Sequence, residues 1–311
     1  MNDATLDRVA VEARPRLVAI AYRMLGSMSD AEDVVQDALV KARQAGPDEL
    51  DSPVAYLTTV TTRTAIDHLR SARVRRESYV GPWLPEPVVS DPAADGAAGA
   101  ELADSLSLAF LVVLESLSPE ERAVLLLHDA FGYSHREVAA TVGRSEAASR
   151  QLLRRARQHI EADRPRFDVD HRRREALVRR FMAACQGGDM DAFLALLTDD
   201  AVYVADGGAA VKAARHPIRG RVRIARLLGY LMSRQRGRLT FAPVSLNGQP
   251  GMAVLDRGRL TDAVLVDPAP AADPGGDDVD DVDDDRIARV HWVRNPAKLD
   301  RLRPLIECGR G

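Results

Sequence analysis

The 311-residue chain has little of what marks several protein classes. No apolar run approaches the ~18 residues that a membrane helix needs, so nothing is expected to span a bilayer. The start, Met1-Asn2-Asp3-Ala4, lacks the basic stretch and following apolar stretch of a signal peptide, and a cytoplasmic location is expected. Only two cysteines occur, Cys185 and Cys308. Neither has His or Cys at ligand spacing, which argues against a disulfide framework and a zinc site and leaves two reduced thiols. No cofactor and no metal are expected. No internal repeat is visible, which excludes a solenoid.

Excess charge is also small, a net −3, but it is unevenly placed. Residues 273–285 hold eight aspartates and no basic residue, and without them the balance is +5. This acidic insertion, taken as 268–285, reads as a solvated loop, because like charges repel and Gly and Pro interrupt it. The arginines gather in two places, a pattern that speaks for nucleic acid more than the overall charge does.

Helical periodicity runs through the first 75 residues. Leu17, Ile20, Ala21, Met24 and Leu25 share a face, and Gly26 stops the helix. The pair Ser29 and Glu32 predicts a capping box for the next helix, and Ser52-Pro53 starts a third. Pro82, Pro85, Pro87 and Pro92 then make 77–101 a linker. Trp83 and Leu84 are unusual there, since a mere tether gains nothing from exposing large apolar groups. Helices are expected again from about residue 102 to 165, with capping boxes at Ser118/Glu121 and Ser134/Glu137. From 171 the pattern becomes α+β: two helices joined by Gly187-Gly188, a further helix over 221–232, and strands at 201–205, 239–246, 252–256, 263–266 and 286–293. Asn247-Gly248 marks a hairpin.

The strongest constellation is 134–160. A short helix ends at Gly143, and a second helix, capped by Ser145, carries Ser149, Arg150, Gln151, Arg154, Arg155 and Arg157. This is helix-turn-helix grammar, with Val138, Val142, Ala148, Leu152 and Leu153 holding the pair together and the second helix able to enter a major groove. Arginine reads guanine edges and glutamine reads adenine edges, while the remaining arginines suit phosphates. A second basic cluster, Arg63, His68, Arg70, Arg73, Arg75 and Arg76, lies just before the linker. Asp30, Glu32, Asp33, Gln36 and Asp37 form an acidic face on a short helix. Such a face is ill suited to phosphates and suits a protein partner.

Here the chain resembles a known family. Tyr22-Arg23-Met24-Leu25-Gly26, followed by Asp30-Ala31-Glu32-Asp33-Val34-Val35-Gln36-Asp37-Ala38, is similar to the core of region 2 of extracytoplasmic-function sigma factors. Ala55-Tyr56-Leu57-Thr58-Thr59-Val60 and Asp67-His68-Leu69-Arg70-Ser71-Ala72-Arg73 resemble that region's promoter-melting part. Leu117-Ser118-Pro119-Glu120-Glu121-Arg122 and the helix-turn-helix resemble region 4. Tyr79-Val80-Gly81-Pro82-Trp83-Leu84-Pro85-Glu86-Pro87 resembles the linker of a subgroup with a fused SnoaL-like domain of the NTF2-like fold. Two motifs of that subgroup recur with departures. Asp206-Gly207-Gly208-Ala209-Ala210-Val211 stands for Asp-Gly-Gly-Gly-Lys-Val, and Asn295-Pro296-Ala297-Lys298-Leu299 for Asn-Pro-Asp-Lys-Leu.

The resemblance implies two all-α sigma domains, at 1–76 and 102–165, and a cone with a curved, mostly antiparallel sheet at 171–311. It implies RNA polymerase core, through clamp and flap, and promoter DNA as partners, with no separate anti-sigma factor and a monomer outside the holoenzyme. The acidic helix would dock on the clamp, the basic end of region 2 would open the −10 element, and the region 4 helix would read the −35 element. Trp83, Leu84 and Pro85, in the segment Trp83–Pro87, are expected to pack between the sigma regions and the C-terminal domain, near the turn at Asp206, Gly207 and Gly208, with the corner at Asn295, Pro296 and Lys298 adjusting the fit. Two alternatives remain open. One is a SnoaL-like cyclase or isomerase, for which Asp206, His216 and His291 are the candidate acid–base residues. The other is a helix-turn-helix repressor with a ligand-sensing domain.

Overall fold

The computed structural model describes residues 3–45, 52–76, 79–89, 107–163, 171–269 and 286–307, with the backbone alone for 3–6, 72–76 and 161–163. The aspartate run at 273–285, Cys308 and the side chain of Arg73 lie outside the described residues. The chain forms two compact units, 1–78 with 110–163, and 79–109 with 164–311.

The first unit is helical. Helix α1 (Asp3–Leu25) ends at Gly26, which takes a left-handed φ of 69°. Helix α2 (Met28–Ala45) starts one residue earlier than expected. Its first turn is capped by Ser27, whose Oγ accepts from the Asp30 amide at 3.3 Å, rather than by Ser29. Helix α3 (Pro53–Arg76) begins behind Ser52 as predicted and runs six residues past Arg70. Its buried Leu57, Ala65, Ile66 and Leu69 meet Leu17, Ile20 and Met24 of α1 and Val34, Val35 and Ala38 of α2 in one core.

Helix α4 (Leu108–Leu114) is followed by α5 (Pro119–Leu125), which continues into a π-turn at Leu126–Ala130. Helices α6 (His135–Val142) and α7 (Glu146–Asp163) complete the unit. Both capping boxes form. Ser118 and Ser134 accept from the amides of Glu121 and Glu137, whose carboxylates answer the serine amides at 3.1 and 2.8 Å. Gly143 ends α6 in the left-handed conformation.

The second unit is a cone. Helices α8 (His171–Gly187) and α9 (Met190–Leu196) lead into β1 (Leu197–Asp206). The short β2 (Ile218–Arg219), α10 (Arg221–Arg234), β3 (Leu239–Leu246), β4 (Gln249–Asp256), β5 (Arg259–Pro268), β6 (Ile287–Val293), α11 (Pro296–Leu299) and α12 (Arg303–Glu307) follow. The six strands are ordered β2-β1-β6-β5-β4-β3. Every pairing is antiparallel except β1 with β6, so the sheet is mostly antiparallel, as expected, with one parallel pair. Asn247-Gly248 turns β3 into β4 with positive φ at both residues, and Arg257-Gly258 repeats the device between β4 and β5. Alternate residues of the strands, among them Met252, Val254, Val264, Val290 and Trp292, join Phe181, Phe193, Ile224 and Leu228 from the helices in one buried cluster.

Candidate functional site

Helix α7 carries the predicted reading face. Arg150, Gln151, Arg154 and Arg155 are exposed, while Leu153, Ala156 and Ile160 are buried against the rest of the unit. Arg150 is braced by Glu146 one turn back at 3.0 Å, and Arg154 and Gln151 have no partner among the described residues. Arg157 is held by Asp129 through two bonds, 3.0 and 2.6 Å, which pin the helix to the end of the π-turn. Burial pushes the Asp129 carboxyl up, but the bonds and charges of Arg157 and His128 outweigh it and hold the group below its ordinary range. Ser149 departs from expectation. It is fully buried with its hydroxyl unpartnered, so it packs in the helix interface instead of facing solvent.

The acidic face of α2 is only partly open. Asp33, Gln36 and Asp37 are exposed, whereas Asp30 and Glu32 are half-buried and Asp30 faces His68 Nε2 at 3.7 Å.

The basic end of α3 is engaged in a way the sequence did not suggest. Arg63 donates through Nε to the Thr141 carbonyl at 2.8 Å and through a terminal nitrogen to the Ala140 carbonyl at 3.0 Å, so it caps the C-terminus of α6. Arg70 donates to Glu120 at 2.5 Å and to Asp67 at 3.1 Å. Arg122, almost fully buried, donates to the Met24 carbonyl at 2.6 Å and to Glu115 at 2.9 Å. Burial pushes its guanidinium down to about 9, still charged at neutral pH. Arg16 bonds the Phe131 carbonyl and lies over the Tyr133 ring. These contacts join residues 3–76 to residues 110–163 in one body.

In the second unit the three separated motifs converge on one carboxylate. Asp206 is fully buried. Its Oδ1 accepts from the Tyr79 hydroxyl at 2.6 Å and the Gly208 amide at 3.0 Å, and its Oδ2 from the Leu84 amide at 2.9 Å and Lys298 Nζ at 2.6 Å. Lys298 also donates to the Leu84 carbonyl and sits 4.2 Å from the centre of the Trp83 ring. Asn295 caps α11, with Pro296 at its first position, and donates to the Tyr79 hydroxyl at 2.9 Å. Gly207 and Gly208 are needed for this closeness. A Cβ on the first would lie 2.2 Å from the Val211 carbonyl oxygen, and one on the second 2.7 Å from Asn295 Nδ2. Leu84, Pro85 and Glu86 are buried, and Val88 and Val89 extend the segment along Asn247 and Leu246. The departures in the two motifs, Ala209, Ala210 and Ala297, are all exposed and outside the cluster.

The cone carries a half-open cavity of about 580 Å³ lined by Tyr203, Tyr230, Met232, Asp262, Trp292 and Arg294 among others. None of the three candidate acid–base residues lines it. Asp206 holds the linker, His216 is exposed, and His291 is buried with its Nε2 2.8 Å from Asp267. Burial works against the Asp267 charge, but His291 and Arg174 hold its carboxyl below its ordinary range. The carboxylates that do line the cavity, Asp256 and Asp262, were not picked out, and only Asp262 is buried. Asp262 accepts from Trp292 Nε1 at 2.8 Å and Arg294 Nε at 2.6 Å.

Comparison with known proteins agrees with this division. Residues 10–75 match the Sigma-70 region 2 family, residues 107–160 the Sigma-70, region 4 family, and residues 178–290 the SnoaL-like domain family. The ECF RNA polymerase sigma factor SigJ of Mycobacterium tuberculosis is 41% identical over 225 residues, 71% of each chain. The probable ECF RNA polymerase sigma factor SigI of that species is 36% identical over 186 residues, 59% of this chain and 64% of that protein. The crystal structure of SigJ aligns over 93% of this chain and 96% of its own length, with a TM-score of 0.69 and 30% identity.

Proposed function

The chain belongs to the extracytoplasmic-function RNA polymerase sigma factors, and from that membership we propose how its surfaces divide the work of starting transcription. It is a transcription initiation factor of the sigma type. Helix α7 reads the −35 element with Arg150, Gln151 and Arg154, while Arg155 sets the register on phosphate. The exposed Asp33, Gln36 and Asp37 of α2, flanked by Asp30 and Glu32, dock on the polymerase clamp. Arg63, His68, Arg70 and Arg73 act at the −10 element, and Arg63 and Arg70 become available for it only when α3 parts from α5 and α6. The observation that carries this reading is the exposed, doubly capped helix-turn-helix with Arg150, Gln151 and Arg154 on its open face.

The contacts of Arg63, Arg70 and Arg122 support a closed resting state, since the two sigma regions must separate to reach two promoter elements. The C-terminal domain regulates in cis. It holds the linker through Asp206 and Lys298, so the length of chain free to join the two regions depends on that cluster. The cone serves as a scaffold without catalysis, a reading supported by the scatter of Asp206, His216 and His291. Run-off transcription with purified core polymerase on the DNA upstream of the protein's own coding sequence is the test. A transcript that needs both core enzyme and this chain is expected. Absence of one, with the chain bound to core, would overturn the reading.

A further inference from the structure

Outside the aspartate run at 273–285, which offsets much of its charge, the C-terminal domain is rich in arginine in a way the sigma assignment does not use. Residues 171–269 and 286–307 contain 22 Lys and Arg against 11 Asp and Glu. Several of these arginines fall on α10, whose sequence Arg221–Arg234 has no acidic residue. At about 100° per residue, Arg223, Arg226, Tyr230 and Arg234 fall within an arc of about 80°. All four are exposed, Tyr230 by 57%, while Ile224, Ala225, Leu228 and Met232 on the other side join the core. The side chains of Arg223 and Arg226 have no hydrogen-bond or ion-pair partner among the described residues. Arg234 lies over the Tyr230 ring at 5.5 Å and donates to its hydroxyl at 2.7 Å, so an exposed aromatic is braced within the cationic row. The other nearby arginines are tied down: Arg221 to Asp199 at 2.7 Å, and Arg238 to Asp256 at 2.5 Å.

We infer that the α10 row of Arg223, Arg226, Tyr230 and Arg234 is a second DNA-binding surface, contacting the phosphate backbone without reading sequence. The row spans twelve residues, eleven rises of ~1.5 Å or roughly 17 Å, the length of about five phosphates of one strand. Arginine and tyrosine are donors that suit phosphate oxygens, and unpaired exposed guanidiniums lose no partner on binding. The inference rests on the promoter-binding reading above.

Fluorescence anisotropy with the full chain and a 40-bp duplex of its own upstream DNA, titrated across salt, tests it against a scrambled duplex. Arg223→Ala/Arg226→Ala should weaken binding to both duplexes equally and make the log K against log salt slope shallower by about 1.8, two phosphates at ~0.9 each. Arg150→Ala/Arg154→Ala should instead narrow the difference between the two duplexes. Arg257→Ala/Arg259→Ala removes the same charge from an exposed hairpin and should leave the slope as in wild type. An equal change in slope from the hairpin variant would reduce the effect to net charge and overturn the inference. So would an unaltered slope in Arg223→Ala/Arg226→Ala while Arg150→Ala/Arg154→Ala still acts, and in that case the promoter reading survives. Loss of core polymerase binding with normal DNA binding would assign the row to a protein partner and overturn it too. If no variant alters DNA binding at all, the promoter reading falls with it.

Discussion

Single side chains here decide whether a surface is available or engaged. Arg150 and Arg154 lie one turn apart on the open face of α7, and neither contributes to the core. Replacing either with alanine should weaken binding to a −35-bearing promoter by about 1–3 kcal/mol while core-polymerase affinity holds, as gel shift and pull-down would measure. Lys298 is the opposite case. It is buried, and among the described residues its ammonium is the one cation bonded to the buried Asp206 carboxylate. Lys298→Met should destabilise the C-terminal unit by ~3 kcal/mol in urea melts, because a lone buried carboxylate is left behind. Adding Asp206→Asn to that variant should recover part of the loss. Ser149 shows what a closer look at periodicity could have found. It stands at i, i+4, i+7 and i+11 with Leu153, Ala156 and Ile160, which puts it on the buried stripe. Asp262 carried a similar signal, since it alternates with Val264 and Val266 and so faces the inside of the cone.

At the scale of elements, what was legible was local. The boxes at Ser118 and Ser134, the Gly26 and Gly143 stops, and the Asn247-Gly248 turn each depend on a few consecutive residues, and all formed as read. The Ser27 cap was missed by two residues because both serines precede an acid. The parallel pairing of β1 with β6 depends on chain segments some 90 residues apart, which no local pattern encodes. The anchoring of α7 is also long-range, through Arg157 and Asp129. Because the Asp129 carboxyl titrates below its ordinary range in the folded state, its contribution is fully present above ~pH 4 and is lost as pH falls through its lowered value. Asp129→Asn should therefore be less stable than wild type at neutral pH, and the gap should close on acidification below ~pH 4. Thermal melts followed by circular dichroism across that range would read it, and a gap independent of pH would show that the carboxylate charge does not matter.

At the scale of the whole molecule, the question is what keeps the two sigma regions together. The exposed pair Arg70–Glu120 can contribute little, about 0.2–1 kcal/mol. Arg63 caps α6 from a partly exposed position. Arg122 differs, because it is buried and its bond to the Met24 carbonyl crosses from α5 to α1 where water cannot replace it. A closed state favoured 99 to 1 needs about 5.5 kcal/mol to be inverted, a bias that binding to polymerase and DNA together can supply. Arg122→Met keeps an apolar stem of similar length and removes the donor, so it should shift this balance most, whereas Glu120→Ala should shift it barely. Small-angle scattering should then show a larger radius of gyration for Arg122→Met at unchanged helical content. Transcription should also depend less on polymerase concentration, since less binding energy goes into opening. A compact Arg122→Met that melts earlier would mean the residue serves only the packing of α5, and Arg63 would then be the main tie between the regions.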